Sequence, residues 1–300
     1  KVTLRNKTLK DLDKNKKFNN NELFDTMDKY KIFYTKKNIN YLNDNLKYDD
    51  DSNLVFLVGF PRSGTTLLDT ILRTHTKIDV LEEKPYLIDI RHEFFKNNNN
   101  NLSALKNISQ RDKDNLRNQY FKKIQTNIGN QNNIIIDKFP LSIIEIGFIK
   151  AIFPNAKILL AMRHPCDVIT SCYFSSFKIN DAMFNFLTLK DTIRFYNKVF
   201  NLFSFYQDEL NINFITIKYE NIVNKFKSEI EKLLNFLDLK YESNLEQFYN
   251  TAKKRSKIST PSYNQVINPL YTSSIGRWKN YPNIIKSKPN LHKWIDKYDY

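Results

Sequence analysis

The chain has 300 residues, 41% of them hydrophobic, and 47 Lys and Arg against 32 Asp and Glu give a net charge of +15. That length suits one large α/β domain with a sizeable core, or such a domain with a small helical appendage. The basic residues are spread along the chain and form no dense run, so the charge favours an anionic partner without implying nucleic acid. A composition rich in Lys, Asn and Ile with only five Gly is equally what an AT-rich gene yields.

Residues 1–52 are charged and Asn-rich. They start at Lys1 with no initiator methionine, as a fragment of a longer protein would, and carry no apolar signal-peptide core. Leu23, Phe24, Met27 and Tyr30, then Ile39, Leu42 and Leu46, have the spacing of two amphipathic helices packed on the domain. Asp49, Asp50 and Asp51 read as the loop before the first strand. This region is taken as an N-terminal helical extension, and 53–300 as the main domain.

Residues 53–72, NLVFLVGFPRSGTTLLDTIL, carry the strongest local pattern in the chain. Leu54 to Val58 form a short apolar, β-branched-rich run, the pattern of a strand buried on both faces. Gly59 and Pro61 break it, and Ser63-Gly64-Thr65-Thr66 leads into a helical spacing of Leu67, Leu68, Ile71 and Leu72. Strand, tight turn and helix N-terminus together make a site for an anion such as phosphate. Gly59 and Gly64 have the spacing of the triphosphate loop G-x-x-x-x-G-K-[ST], but Thr65 stands where the lysine should be. The missing lysine argues against ATP or GTP hydrolysis and asks for a different activated anion.

A first helix over 64–74, a short strand over 77–81, a solvent loop of five Asn at 97–101 and a polar helix over 109–128 follow. Apolar runs at 133–137, 156–162 and 213–218 read as further strands, separated by helical patterns at 141–153, 166–178 and 186–210. Strands alternating with helices predict a parallel sheet flanked by helices, a three-layer α/β/α fold. Ligands in such sheets sit outside the carboxyl ends of the strands. Arg62, Lys138, Arg163 and Lys218 lie at four of those ends, which suggests a polyanionic ligand. Cys166 and Cys172, six apart, do not share a helix face one turn apart, so no mutual disulfide is expected. No metal-ligand spacing occurs, and a reducing, cytoplasmic location is expected. Lys138, Glu145 and Lys150 interrupt the longest candidate for a membrane span. Beyond an amphipathic helix over 225–238 comes a basic, Ser/Thr-rich segment over 253–274, able to fold over a nucleotide.

FPRSGTTLL, DKFP, MRHPCDVITSCY and SSIGRWKNY, in this order and spacing, resemble the sulfotransferases that use 3′-phosphoadenosine 5′-phosphosulfate (PAPS). The likeness covers roughly residues 53–282. It is strongest to the bacterial branch often fused to tetratricopeptide repeats, related to the tyrosylprotein sulfotransferases. The resemblance implies a P-loop-like parallel sheet, PAPS as sulfuryl donor and adenosine 3′,5′-bisphosphate as product. By it, Arg62, Ser63, Gly64, Thr65 and Thr66 hold the 5′-phosphosulfate, and Arg163 and Ser171 grip the 3′-phosphate. A guanidinium suits that task by its forked donors. Tyr219 would lie near the adenine, with Ser262, Gln265 and Arg277 in a segment closing over the nucleotide.

Lys138, in the DKFP setting, would neutralise the leaving oxygen and so replace the missing loop lysine. Glu83 falls where the tyrosylprotein branch has its general base. Glu82, where relatives often have Gly, leaves that assignment shared, and His75 is the candidate by likeness to the cytosolic branch. Thr76 in place of Pro and His164 in place of Asp or Gly are further departures. The resemblance implies an acceptor hydroxyl on a protein tyrosine, a carbohydrate or a small alcohol, no metal, and leaves a homodimer open. Two rival readings stand beside it: a P-loop nucleotide or small-molecule kinase, and a non-catalytic anion- or nucleic-acid-binding module.

Overall fold

The structure is a computed structural model and describes residues 2, 6, 8, 18, 20–38, 53–81, 83–129, 133–254 and 266–300. Five strands form one parallel sheet: β1 (Leu54–Gly59), β2 (Ile78–Leu81), β3 (Ile134–Lys138), β4 (Lys157–Met162) and β5 (Phe214–Lys218), in the order β2-β3-β1-β4-β5. The fold is the α/β class expected, with β1 at its centre. All six residues of β1 are buried, which is why it reads as an unbroken apolar run. Its side chains alternate between two cores: Leu54, Phe56 and Val58 face one, Val55 and Leu57 the other.

The helices divide between these two faces. The larger core takes α1 (Asn20–Phe33), and the smaller takes α2 (Thr65–Leu72). α3 (Tyr86–Asn97), α4 (Gln110–Ile124), α5 (Ile146–Ile152), α6 (Pro165–Phe174) and α7 (Leu189–Glu209) join the larger core. α8 (Tyr219–Asn224) and α9 (Phe226–Phe236) join the smaller. Phe24, Met27 and Tyr30 of α1 are buried in the larger core, as their spacing predicts. The helix expected around Ile39, Leu42 and Leu46 lies outside the described residues.

Several boundaries differ from the sequence reading for local reasons. The expected helix 141–153 is a 3₁₀ stretch, Pro140–Glu145, followed by α5. α6 ends at Phe174 and not near 178, because Ser175 turns extended (φ −76°, ψ 148°). The Asn run carries two left-handed residues, Asn99 (φ 53°) and Asn100 (φ 56°), a conformation its short polar side chain tolerates.

The strand order positions the site. From β1 the chain crosses to the β2 edge and returns to β3; from β4 it continues outward to β5. The connections therefore diverge between β1 and β4, the point at which a parallel sheet opens a crevice at its carboxyl edge. Lys138 pairs with Leu57, Ala161 with Gly59, and Lys218 with Met162, so the carboxyl ends of the strands fall in one row.

Candidate active site

The loop leaving β1 folds back tightly enough to demand glycine. A Cβ on Gly59 would lie 2.6 Å from the Ala161 carbonyl oxygen and 2.7 Å from Ser63 Oγ. Gly64, the residue before α2, has φ 101°, and a Cβ there would meet the Tyr219 ring at 3.2 Å. Arg62 adopts φ 71°, a left-handed backbone costing a non-glycine residue roughly 1–2 kcal/mol. That turn aims its Nε at Ser171 Oγ, which accepts a hydrogen bond at 2.9 Å. Thr65 and Thr66 open α2, both buried, at the end of the helix where backbone N–H groups point out of the first turn. Ser63 is buried, and its Oγ has no hydrogen-bond partner among the described residues.

Arg163, just beyond β4, lies across from this loop. Its Nη1 donates to the Arg62 carbonyl at 3.4 Å and its Nη2 to the Ser274 carbonyl at 2.5 Å. Its guanidinium stacks over the Tyr219 ring, 4.9 Å from the centroid, while its buried Nε has no partner among the described residues. Burial pushes the Arg62 guanidinium below its usual range, and repulsion from Arg163 adds to that shift. Arg62, Arg163, Ser171, Tyr219 and the start of α2 therefore come together. Ser171 bonds Arg62 and not Arg163, so the two sequence-predicted anion groups form one cluster. A small cavity of about 50 Å³ lies among Arg62, Gly64, Thr65, Thr66, Arg163 and Tyr219.

On the other side of the loop, Lys138 ends β3. Its Nζ lies 2.6 Å from Glu83 Oε1 and 3.4 Å from Asp69 Oδ2. Lys138 and Asp69 are buried, whereas the Glu83 side chain is 31% exposed and forms part of the wall of a second, open cleft. That cleft, about 1200 Å³, is bordered by Arg62, Thr65 and Thr66 at the loop end and by Tyr30, Arg91 and Phe177 farther out. Asp137, on the opposite face of β3 from Lys138, accepts a hydrogen bond from Tyr120 at 2.8 Å. Burial raises its carboxyl from the usual 3.8 to about 7, although Tyr120 and Lys138 both pull it down.

The remaining expectations divide three ways. Lys218 turns away from the site, its Nζ over the Tyr300 ring and 3.4 Å from the Asp299 carbonyl. The four-cation edge is therefore three cations, because β5 is an edge strand and the C-terminus covers its end. His75 is held by the Lys240 carbonyl at Nε2 and the Lys77 N–H at Nδ1, each 3.0 Å away, at the far end of α2 from the loop. Arg277 is exposed and borders neither cavity. Its neighbour Trp278 is buried and stacks on His164 at 5.2 Å. Ser262, Gln265 and Glu82 lie outside the described residues. Both cysteines are free and buried; Cys172 donates to the Pro61 carbonyl at 3.2 Å, tying α6 to the loop.

Sequence reasoning missed three features. Asp69 beside Lys138 is one. Asp167, which accepts from the Gly276 and Trp278 amides at 2.7 and 3.0 Å, is another. The third is a Tyr30–Glu145–Arg91 network across the cleft wall, with Tyr30 Oη bonded to Glu145 at 3.0 Å and to Arg91 at 3.0 Å. A usable signal existed only for the first: a carboxylate inside an otherwise apolar helix.

Comparison with known proteins finds relatives in sequence and in fold. A protein-tyrosine sulfotransferase 1 of Danio rerio is 22% identical over 77% of this chain and 67% of its own length. An uncharacterized protein of Aquifex aeolicus (strain VF5) is 24% identical over 76% of this chain but 30% of its own length. The chain thus spans under a third to about two thirds of these relatives. The solved sulfotransferase domain from the curacin biosynthetic pathway shares the fold, with a TM-score of 0.50 and 19% identity over 80% of this chain and 96% of that one. No helix among the described residues is long and apolar enough to cross a membrane. The model of the sulfotransferase family matches residues 54–243, and the chain belongs to that family.

Proposed function

We propose that the chain transfers a sulfuryl group from PAPS to an acceptor hydroxyl presented in the large cleft. The observation that carries this reading is Lys138. In this reading its ammonium takes over from the missing loop lysine, and it contacts Glu83, a carboxylate on the cleft wall. A nucleotide carrying a phosphate at each end fits the residues present. Two guanidiniums, Arg163 with an unpartnered buried Nε, share one small cavity with the glycine-bearing loop and the start of α2.

Glu83 takes the proton of the acceptor hydroxyl as its oxygen bonds to sulfur, a contribution typically about 10²–10⁴ in rate. The bond from sulfur to the bridging oxygen of the donor breaks, and its electron pair stays on that oxygen. Lys138 and the N–H groups at the start of α2 stabilise that charge, so positioning and electrostatics supply most of the catalysis. Arg62, Arg163 and Ser171 hold the donor in line.

A tyrosine-containing protein or peptide is the acceptor to test first. Two features support it: the relatives named protein-tyrosine sulfotransferases, and a cleft of about 1200 Å³, above the ~300–1,000 Å³ usual for small-molecule sites.

The test is a thermal-shift titration with adenosine 3′,5′-bisphosphate against ATP, followed by labelled sulfate transfer to a panel of peptides, sugars and phenols. At a bisphosphate concentration about 100 times Kd, the stabilisation is about 2.7 kcal/mol. Lys138→Ala should abolish transfer while leaving bisphosphate binding largely intact, and Arg163→Ala should weaken that binding. Unchanged affinity in Arg163→Ala rejects the phosphate grip, and tighter binding of Mg-ATP than of the bisphosphate revives a kinase.

A further inference from the structure

Lys138 has two carboxylate partners, and they are not alike. Glu83 is at the cleft wall, 31% exposed in its side chain, whereas the Asp69 side chain is 2% exposed and lies beneath the lysine. Asp69 is on α2, four residues after Thr65 and four before Arg73, so these three share one helix face. Asp69 Oδ1 accepts from Arg73 Nε at 3.0 Å, leaving Oδ2 turned towards Lys138 at 3.4 Å.

The sheet explains the meeting. Alternation along β3 puts Ile136 in the smaller core and Ile135 in the larger. Lys138, two residues after Ile136, therefore emerges on the face that α2 covers.

A buried ammonium without a counter-charge is strongly unfavourable. When Glu83 accepts the acceptor's proton it becomes neutral, and Lys138 loses its nearest compensation at the moment it is needed at the leaving oxygen. Asp69 does not line the cleft and forms or breaks no bond in the reaction. It exchanges no proton in the step, while Glu83 takes one up. We propose that Asp69 is a positioning residue that keeps the Lys138 ammonium charged and in place as Glu83 is neutralised. This rests on the roles given above to Lys138 and Glu83. Sulfur still bonds the acceptor oxygen and leaves the bridging oxygen, and the proton still ends on Glu83.

The test uses the full chain, PAPS as donor, a tyrosine-containing peptide as acceptor, and adenosine 3′,5′-bisphosphate as the binding probe. Asp69→Asn keeps shape and removes charge; kcat should fall about 100-fold while the bisphosphate Kd stays within about threefold. Asp69→Glu keeps the charge but moves it by one methylene, and should retain about a tenth of wild-type kcat with the same unchanged affinity. If Asp69→Asn does not fold, the Asp69→Glu protein decides the matter alone. Wild-type kcat in the folded variants, beside an inactive Lys138→Ala, overturns the role of Asp69 and leaves the reading of the site standing. So does a parallel loss of kcat and bisphosphate affinity, which a purely structural role would give. Activity in Lys138→Ala, or no transfer and no bisphosphate binding by the wild-type chain, overturns the reading of the site and this inference with it.

Discussion

Asp137 and Lys138 are neighbours on one strand and end in different environments, because successive side chains leave a strand on opposite faces. Lys138 meets α2 and the cleft-wall residue Glu83, while Asp137 enters the larger core against Tyr120. With its carboxyl raised to about 7, the folded chain keeps a proton that the unfolded chain has lost between about pH 4 and 7. Stability therefore falls as pH rises through that window, by up to roughly 1.4 kcal/mol per unit, and levels off above it. Asp137→Asn should flatten this dependence, and urea unfolding at pH 5 and pH 7.5 measures it. An unchanged slope in the variant would mean that another group carries the effect. The motif DKFP made Lys138 legible in the sequence. Asp69 stood out only as a carboxylate in an apolar helix; its partner was not legible, because that depends on the phase of α2 against β3, which no local pattern records.

At the scale of elements, the helix that carries part of the cleft lies outside the region matched by the family model. α1 supplies Tyr30 to the cleft and Met27 to the core, and the chain just beyond it packs Tyr34 against α5. Gly147 makes that contact possible, since a Cβ there would lie 2.4 Å from the Tyr34 ring. Gly147→Ala should destabilise the fold by about 1–3 kcal/mol through overpacking, seen as a drop in Tm of about 2–4 °C for each kcal/mol. It should also weaken acceptor binding more than bisphosphate binding, because the cleft and not the donor site leans on α1. Equal effects on both ligands would argue that α1 has no special part in the cleft. The apolar spacing of α1 was readable from Phe24, Met27 and Tyr30. The choice of partner was not, since a glycine in an apolar helix looks the same wherever the close approach occurs.

For the whole molecule, buried strands of four to six residues announce themselves as apolar runs, so the sheet's members and their parallel sense were legible. Their lateral order was not. A run such as Ile134–Lys138 carries no mark of which neighbour it pairs with, and its pairing is settled by which helices cover which face. The order β2-β3-β1-β4-β5 is what brings Lys138 and Arg163 to opposite sides of one loop. Lys218 was misread for the same reason. A cation at a strand end points into a crevice only when its strand borders one, and β5 is an edge.

Arg163 has a double attachment whose consequence is thermodynamic. The guanidinium assigned to a phosphate already donates to the Ser274 carbonyl, and Asp167 pins the two amides just beyond. An anion that engages Nη2 shares or displaces that carbonyl, so donor affinity and the order of the C-terminal segment become linked quantities. Deuterium uptake over residues 271–280 should rise in Asp167→Asn without nucleotide, and the bisphosphate should alter uptake there in the wild-type chain. Insensitivity of that segment to both changes would uncouple it from the site. If the coupling holds, Arg163 is also a latch, and the rate at which product leaves is set partly by how fast a backbone carbonyl reclaims its donor.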